Sequence, residues 1–278
     1  METNLTNWSD FLVLGLFLFF LGIGWTFSRC YREFSRDCDS TCRNNVMDTC
    51  FERSSLEAVA VLCFTGLVLF IELLRSGLSR SSGHQNRWNV WMVWGPLIPY
   101  SFARIAADRW WTPSAWRFIS RLCLAATFLC HFTALKDHVC KFPVGTDRAM
   151  YEPQLLLTLA TAMVILGETF LPQMQRIRWI RCGCTMVQGI WCIQVGFTLC
   201  VSGRQWQNED AVRLTVGLIF AWHVALTSLI VYFVRKTVKA ALSADPYIEG
   251  EMEPYDEDYD FMSVYDDKEE TMDIKTVL

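Results

Sequence analysis

Seven polar side chains stand inside otherwise apolar stretches of this sequence, where they are costly unless they face a partner or a cavity. They are Glu57, Glu72, His131, Glu168, Gln188, Gln194 and His223. Three of them, Glu57, Glu72 and His131, lie near the ends of their stretches and could reach the membrane interface. Gln188 and Gln194 lie deeper in their stretch, and Trp191 is three residues from each. The three side chains therefore follow one another along one helix, with a direction that turns gradually.

These residues have two competing interpretations. Hydrogen bonds between helices could hold a bundle together, at about 0.6 to 2 kcal/mol each. Alternatively, the same groups could form a buried site for a ligand, a proton or a metal ion. The sequence leaves both open, and we expect neither a bound cofactor nor a metal ion.

Apolar stretches of membrane-spanning length recur about seven times along the 278 residues. They cover residues 11–28, 56–75, 89–107, 115–136, 152–171, 179–201 and 212–234. A bilayer core of about 30 Å needs about 20 residues per span, and such segments must be helical because lipid offers the backbone no hydrogen-bond partners. Pro96, Pro99 and Arg104 interrupt the third stretch, which we interpret as a kinked span, with a re-entrant segment as the alternative. The fold class predicted is an all-α integral membrane protein with about seven transmembrane helices in one bundle.

The distribution of basic residues predicts the orientation. The first loop carries five arginines between residues 29 and 53, whereas the even-numbered loops carry fewer Lys and Arg residues. This bias places the N-terminus outside or in the lumen and the C-terminus in the cytosol. Residues 1–10 then form a short outer segment, residues 11–240 the membrane domain and residues 241–278 a cytosolic tail. We expect the first apolar stretch to be a retained helix, because no basic segment precedes it.

The C-terminal segment is acidic and poor in aliphatic residues, which predicts a disordered tail. Within it, Tyr259 and Met262 have the Tyr-x-x-apolar form that sorting adaptors bind. The terminal residues, Thr276 to Leu278, have the form of a class I PDZ ligand. The tail could therefore bind partner proteins, or it could serve only to solvate this end of the chain. Nucleic acid is not an expected partner of such an acidic segment.

Twelve cysteines are distributed along the chain. The four in the first loop have none of the Cys-x-x-Cys spacings of zinc sites, and no histidine lies among them. Cys30, Cys182 and Cys184 lie at predicted cytosolic helix ends, where palmitoylation is plausible. On the predicted outer side, Cys140 and Cys200 could form a disulfide.

The sixth apolar stretch carries a recognisable pattern. Residues 188–197 read QGIWCIQVGF, and Ala221, Trp222 and His223 follow in the next stretch. This pattern resembles the transmembrane protein 45 family, a domain of unknown function, in which the sixth helix reads Gln-Gly-x-Trp-x-x-Gln-x-Gly-Phe and the seventh carries Cys-Trp-His. The start of the second stretch at Glu57 and the late Glu168 are also similar. The resemblance implies a seven-helix membrane protein without an established reaction, located in the plasma membrane or in endomembranes such as the Golgi and endosomes.

Histidines are where the chain departs from that family. Members of the family carry several more of them, including a pair in the third helix, where this chain reads Trp94, Gly95 and Pro96. A zinc site needs three or four protein ligands, and here only His131, His223 and a carboxylate such as Glu168 could converge. A metal-dependent membrane hydrolase is therefore the less favoured alternative.

Three classes of function remain after this comparison. We favour a non-enzymatic membrane protein that acts in trafficking, scaffolding or signalling through its tail. The alternative is a transporter, channel or small-ligand-binding protein that uses the buried polar residues. A receptor fits the number of helices, but the third stretch lacks Asp-Arg-Tyr and the seventh lacks Asn-Pro-x-x-Tyr. The bilayer is the one certain environment, and the oligomeric state is left open.

Overall fold

The computed structural model describes residues 5–34, 56–74, 90–109, 113–140, 146–171, 174–201 and 209–243. Apart from a turn at residues 95–96 and the single residues 171 and 174, every position in these ranges is helical. The all-helical prediction is therefore confirmed for the described part of the chain. Residue contacts divide the chain into two units, Met1–Leu242 and Ser243–Leu278, and the account below concerns the first.

Seven helices are described along the chain. They are α1 (Leu5–Phe34), α2 (Leu56–Leu74), α3 (Leu97–Arg109), α4 (Pro113–Cys140), α5 (Thr146–Phe170), α6 (Gln175–Val201) and α7 (Glu209–Ser243). A short helical segment at residues 90–94 precedes α3. The turn at Gly95 and Pro96 separates the two, because Pro96 has no N–H to continue the helical hydrogen bonds. The third stretch therefore consists of two helical segments separated by a turn, and not of one kinked helix.

Five of the described helices are long and apolar enough to cross a membrane. The segments are Ser9–Tyr31, Leu56–Leu74, Ser114–Cys140, Arg148–Phe170 and Ala211–Ala241. This establishes a multi-pass membrane protein in a lipid bilayer. Helix α3 has only 13 residues, and α6 carries three arginines in its first two turns; neither belongs to these five. A total of seven spans stays a prediction.

Helix α1 packs along α6 through glycines that let the two backbones approach. A Cβ atom on Gly15 would lie 2.7 Å from the carbonyl oxygen of Gly189, and one on Gly189 would overlap the backbone nitrogen of Phe19. The remaining pairs of helices in extensive contact are α3 with α4, α4 with α5, and α5 with α6. Together these contacts make α6 a central helix, against which the polar side chains of the other helices can gather.

Aromatic side chains attach the outer helices to this core. Phe17 of α1 stacks on Phe64 of α2 with ring centroids 5.1 Å apart. On the other side, Trp191 of α6 meets Phe220 of α7 edge-on at 5.2 Å. Both outer helices expose large apolar side chains, among them Leu67 and Leu214. Such surfaces are expected of helices that face lipid tails.

Candidate functional site

A cavity of about 100 Å³ opens at one end of the bundle, which we call the arginine cavity. It lies among the last turns of α1 and α5, the first turns of α2, α4 and α6, and the middle of α3. Its charged lining residues are Arg29, Arg104, Arg121, Arg178, Arg181, Glu57 and Glu168. The neutral lining residues are Trp25, Ser28, Tyr100, Ser120, Leu124 and Cys182.

Glu168 is the most deeply buried charge of the cavity, with only 4% of its side chain exposed. Arg181 Nη1 lies 2.9 Å from Glu168 Oε2. The Nε atoms of Arg121 and Arg178 each lie 3.7 Å from Glu168 Oε1. One carboxylate from α5 is thus held by three guanidinium groups from two neighbouring helices, and removing one partner of such a buried pair is strongly destabilising.

Trp25 connects this ion-pair cluster to α1 and α2. The guanidinium carbon of Arg181 lies 4.5 Å from the centre of a Trp25 ring, a cation–π contact. The indole Nε1–H of Trp25 donates a hydrogen bond to Glu57 Oε1. Residues from α1, α2 and α6 therefore fix one wall of the cavity, and Trp25 has a structural role beyond that of an interfacial anchor.

The other two arginines are not bound to Glu168. Arg29 Nη2 donates to Gln175 Oε1 at 2.8 Å, which joins α1 to the start of α6. Arg104 is half-buried, and no hydrogen bond or ion pair engages its side chain within the part of the chain that the structure describes. With five arginines against two glutamates, the lining carries an excess of three positive charges. An environment of this kind is suited to an anion.

Comparisons with known proteins agree with a membrane protein and give no activity. The chain is 28% identical over 87 residues to human transmembrane epididymal protein 1, a match that covers 30% of this chain and 32% of the relative. It is 29% identical over 98 residues to transmembrane epididymal protein 1A of the mouse, which covers 34% of this chain and 32% of the relative. The matches thus span about a third of the length of each relative. No protein-family model matches the chain, so membership of the transmembrane protein 45 family stays a prediction.

A second group of polar side chains lies buried where α4, α5 and α6 meet, and we call it the central network. Gln188 Nε2 donates to Thr158 Oγ1 at 2.7 Å and lies 3.3 Å from His131 Nδ1. The other end of the amide, Oε1, lies 3.5 Å from the hydroxyl of Thr161. The amide of Gln188 thus links α6 to both α4 and α5.

The structure separates residues that the sequence grouped together. His131 is buried in the central network, beside Gln188. Gln194 is half-buried, and among the described residues its side chain hydrogen-bonds within its own helix, with Nε2 3.5 Å from Thr198 Oγ1. Trp191 donates from Nε1 to the carbonyl oxygen of Met150 at 3.1 Å. Gln188 and Trp191 therefore join helices, whereas Gln194 does not share that role.

His223 and Glu168 do not join His131 in a metal centre. His223 Nδ1 lies 2.6 Å from the carbonyl oxygen of Ile219 on its own helix, and its ring meets Trp191 edge-on at 5.6 Å. Glu168 is engaged with arginines in the cavity. Within the described residues, no three His, Cys, Asp or Glu side chains lie together as metal ligands would.

Cysteines proposed as modification sites differ in their exposure. Cys30 and Cys182 are buried, Cys184 is half-buried, and Cys140 at the end of α4 is exposed. Palmitoylation of the first three and a disulfide between Cys140 and Cys200 stay predictions. The sorting motif at Tyr259 and Met262 and the terminus at Thr276 to Leu278 lie outside the described residues.

Sequence reasoning identified Glu57 and Glu168 but missed the arginines around them. Arginines such as Arg29 and Arg178 were used only to orient the chain. Three others carried a clear signal, because Arg104, Arg121 and Arg181 lie inside the predicted spans 89–107, 115–136 and 179–201. An arginine within a span is expected to face a partner or a cavity, and applying that rule would have indicated the site.

Proposed function

We propose that this chain is a multi-pass membrane protein that binds a small anionic ligand in the arginine cavity. The observation that carries the proposal is the charge imbalance of the lining, in which five arginines surround two carboxylates. Arginine within a membrane protein is costly unless it is paired or faces a water-filled space. Glu168 compensates for part of this charge, and a bound anion would compensate for more.

The location of the cavity supports binding from one side of the membrane. It lies at the end of the bundle where α1 and α5 finish and α6 begins, on the side that the distribution of Lys and Arg predicts to be cytosolic. Electrostatic attraction is stronger in a partly enclosed site than in bulk water, because the surrounding protein screens charge less. A cytosolic anion or an anionic group of the inner leaflet would therefore be concentrated there.

The hypothesis of action through the tail, in trafficking, scaffolding or signalling, is compatible with ligand binding. Its residues beyond Ser243 lie outside the described part of the chain. Resemblance to the transmembrane protein 45 family and to the epididymal proteins adds a membrane location and no activity. The tail hypothesis can be tested by removing Thr276–Leu278 and following localisation in polarised cells, where an unchanged distribution would count against a PDZ ligand.

Anion binding can be tested on the purified full chain in detergent. Melting temperatures would be measured in chloride, sulfate, phosphate and glutarate at constant ionic strength. We expect at least one multivalent anion to stabilise the wild-type protein. A Ser28→Leu variant, which places an apolar side chain in the cavity lining, should lose that response, and Ser228→Leu on the exposed face of α7 should keep it. Equal melting temperatures in all four anions would overturn the proposal.

A further inference from the structure

We infer that the group bound in the arginine cavity is a phosphate monoester, carried either by a lipid headgroup or by a soluble metabolite. This inference rests on the proposed function and names the chemistry of its ligand. Three features of the cavity favour phosphate over a carboxylate or a monovalent anion: the number of guanidinium groups, the helices that supply them and the excess charge.

The arginines approach the cavity from different directions. Arg29 comes from α1, Arg104 from α3, Arg121 from α4, and Arg178 and Arg181 from α6. A guanidinium group presents a planar fork of donors that matches two oxygens of one anion. Several forks that converge from separate helices need an acceptor with oxygens in several directions. The three terminal oxygens of a phosphate monoester are arranged tetrahedrally, whereas the two oxygens of a carboxylate lie in one plane.

The contacts of Glu168 show how well a carboxylate satisfies the surrounding guanidinium groups. Arg181 Nη1 lies 2.9 Å from the Glu168 carboxylate, and the Nε atoms of Arg121 and Arg178 each lie 3.7 Å from it. Arg121 Nη1 also donates to the backbone carbonyl oxygen of Glu168 at 3.5 Å. Glu168 Oε2 is itself buried without a hydrogen-bond partner among the described residues, so the carboxylate is not aligned with the donors around it. Arg181 Nε is buried without a hydrogen-bond partner among the described residues. A phosphate beside Glu168 would supply Arg181 Nε with an acceptor.

The charge of the ligand follows from the same lining. Five arginines and two glutamates leave an excess of three positive charges. A phosphate monoester carries close to two negative charges at neutral pH. It would neutralise most of the excess, whereas a carboxylate or a phosphodiester supplies only one charge. Tyr100 and Ser28 also line the cavity, and their hydroxyl groups can donate hydrogen bonds to phosphate oxygens, whereas the Ser120 hydroxyl donates to the carbonyl oxygen of Arg117 at 2.9 Å.

Both sources of phosphate can reach this position. Basic pockets between transmembrane helices at the cytosolic side are a known form of headgroup site, because the phosphates of the inner leaflet lie at the same depth. The lining also includes apolar Trp25 and Leu124, which could border an acyl chain or the body of a soluble ester. The chemistry of the phosphate is common to both sources, so the experiment must separate them.

Arg104 offers the variant that tests binding with the least risk to folding. It lines the cavity, and it makes no hydrogen bond or ion pair with the residues that the structure describes. Arg104→Gln should therefore leave the Glu168 cluster intact. Arg109→Gln is the matched control, because Arg109 is exposed at the end of the same helix and does not line the cavity.

Binding would be measured with the full chain in detergent by calorimetry and melting temperature. The soluble probe is glycerol 3-phosphate, and the lipid probe is dioctanoyl phosphatidic acid, which carries the same phosphate monoester. Dioctanoyl phosphatidylcholine serves as the phosphodiester control, and glutarate as the dicarboxylate control. We expect wild type and Arg109→Gln to bind a phosphate monoester, and Arg104→Gln to bind it at least about tenfold more weakly.

The affinities of the probes decide between a soluble phosphate ligand, a lipid headgroup and another anion. Similar affinity for both monoesters indicates a soluble ligand, and binding of phosphatidic acid alone indicates a headgroup; either supports the inference. Binding of glutarate without either phosphate probe would overturn the phosphate inference and leave anion binding standing. Equal phosphate affinity in Arg104→Gln and wild type would also overturn it, because the phosphate would then lie elsewhere. Absence of binding by every anion in the wild-type protein would overturn both proposals.

Discussion

Arg181 and Glu168 form the closest ion pair of the arginine cavity, with Nη1 of one 2.9 Å from Oε2 of the other. The pair joins the end of α5 to the start of α6, and the side chain of Arg181 also covers the Trp25 ring from α1. A single arginine thus links three helices and sets the position of the most buried carboxylate. The cavity is consequently a part of the bundle's framework as well as a candidate binding site.

Replacing Glu168 should destabilise the protein strongly. Glu168→Gln removes the charge that holds three arginines, and breaking a buried ion pair on one side costs about 3–5 kcal/mol. Glu152→Gln is the control, because Glu152 lies exposed on the same helix and pairs with Arg148 across one turn at 3.4 Å. That change should cost about 0–1 kcal/mol. Melting temperatures of the two variants in one detergent would decide, and equal values would show that Glu168 does not hold the bundle together.

The arginine cluster shows which features of the fold can be predicted from the sequence and which cannot. Hydropathy located the helices, because a run of apolar residues reports span length directly. It does not report which face of one helix meets which face of another. Arg121 and Glu168 are 47 residues apart, and Trp25 and Glu57 are 32 apart. Their meeting depends on how the helices pack, so the sequence predicted isolated polar residues where the structure shows a joint site.

Gln188 and Gln194 show the same limit within one helix. The sequence grouped both on one gradually turning line of side chains, yet among the described residues only Gln188 contacts α4 and α5 through its side chain. A residue's direction around the helix changes by about 100° at each step, so six positions place Gln194 some 120° away from the direction of Gln188. Gln188 is therefore buried between helices, whereas Gln194 lies half-buried on a different face of α6.

Replacing Gln188 by Leu should destabilise the bundle more than the same change at Gln194. Gln188→Leu removes the amide that contacts Thr158 and His131 and leaves both groups without that partner. Hydrogen bonds between membrane helices contribute about 0.6 to 1.7 kcal/mol each, so we expect a loss of about 1 to 3 kcal/mol for the pair of contacts. Gln194→Leu should cost less than about 1 kcal/mol. Unfolding in a denaturing detergent series measures both, and a larger effect at Gln194 would contradict the central network.

The glycine contact between α1 and α6 gives a prediction that does not depend on any ligand. Gly189→Ala places a methyl group against the backbone of α1, so one helix must shift or the contact must open. Gly183→Ala on the same helix is the control, because a Cβ atom at Gly183 meets no atom within 4 Å. We expect Gly189→Ala to lower the melting temperature by several degrees and Gly183→Ala to leave it unchanged or raise it slightly, since alanine favours helix. The reverse order would show that α1 and α6 do not pack in this register.

Cys140 provides the test of orientation, on which the cytosolic location of the arginine cavity depends. It is exposed at the end of α4, and Arg121 lies near the start of the same helix, roughly 28 Å away at 1.5 Å per residue. The two residues should therefore lie at opposite membrane faces. In intact cells, an impermeant maleimide should label the wild-type chain more than Cys140→Ala. If Cys140 forms the predicted disulfide with Cys200, this difference should appear only after reduction. A Cys140-dependent signal that required permeabilised cells would reverse the orientation and place the arginine cavity outside, where a cytosolic phosphate could not reach it.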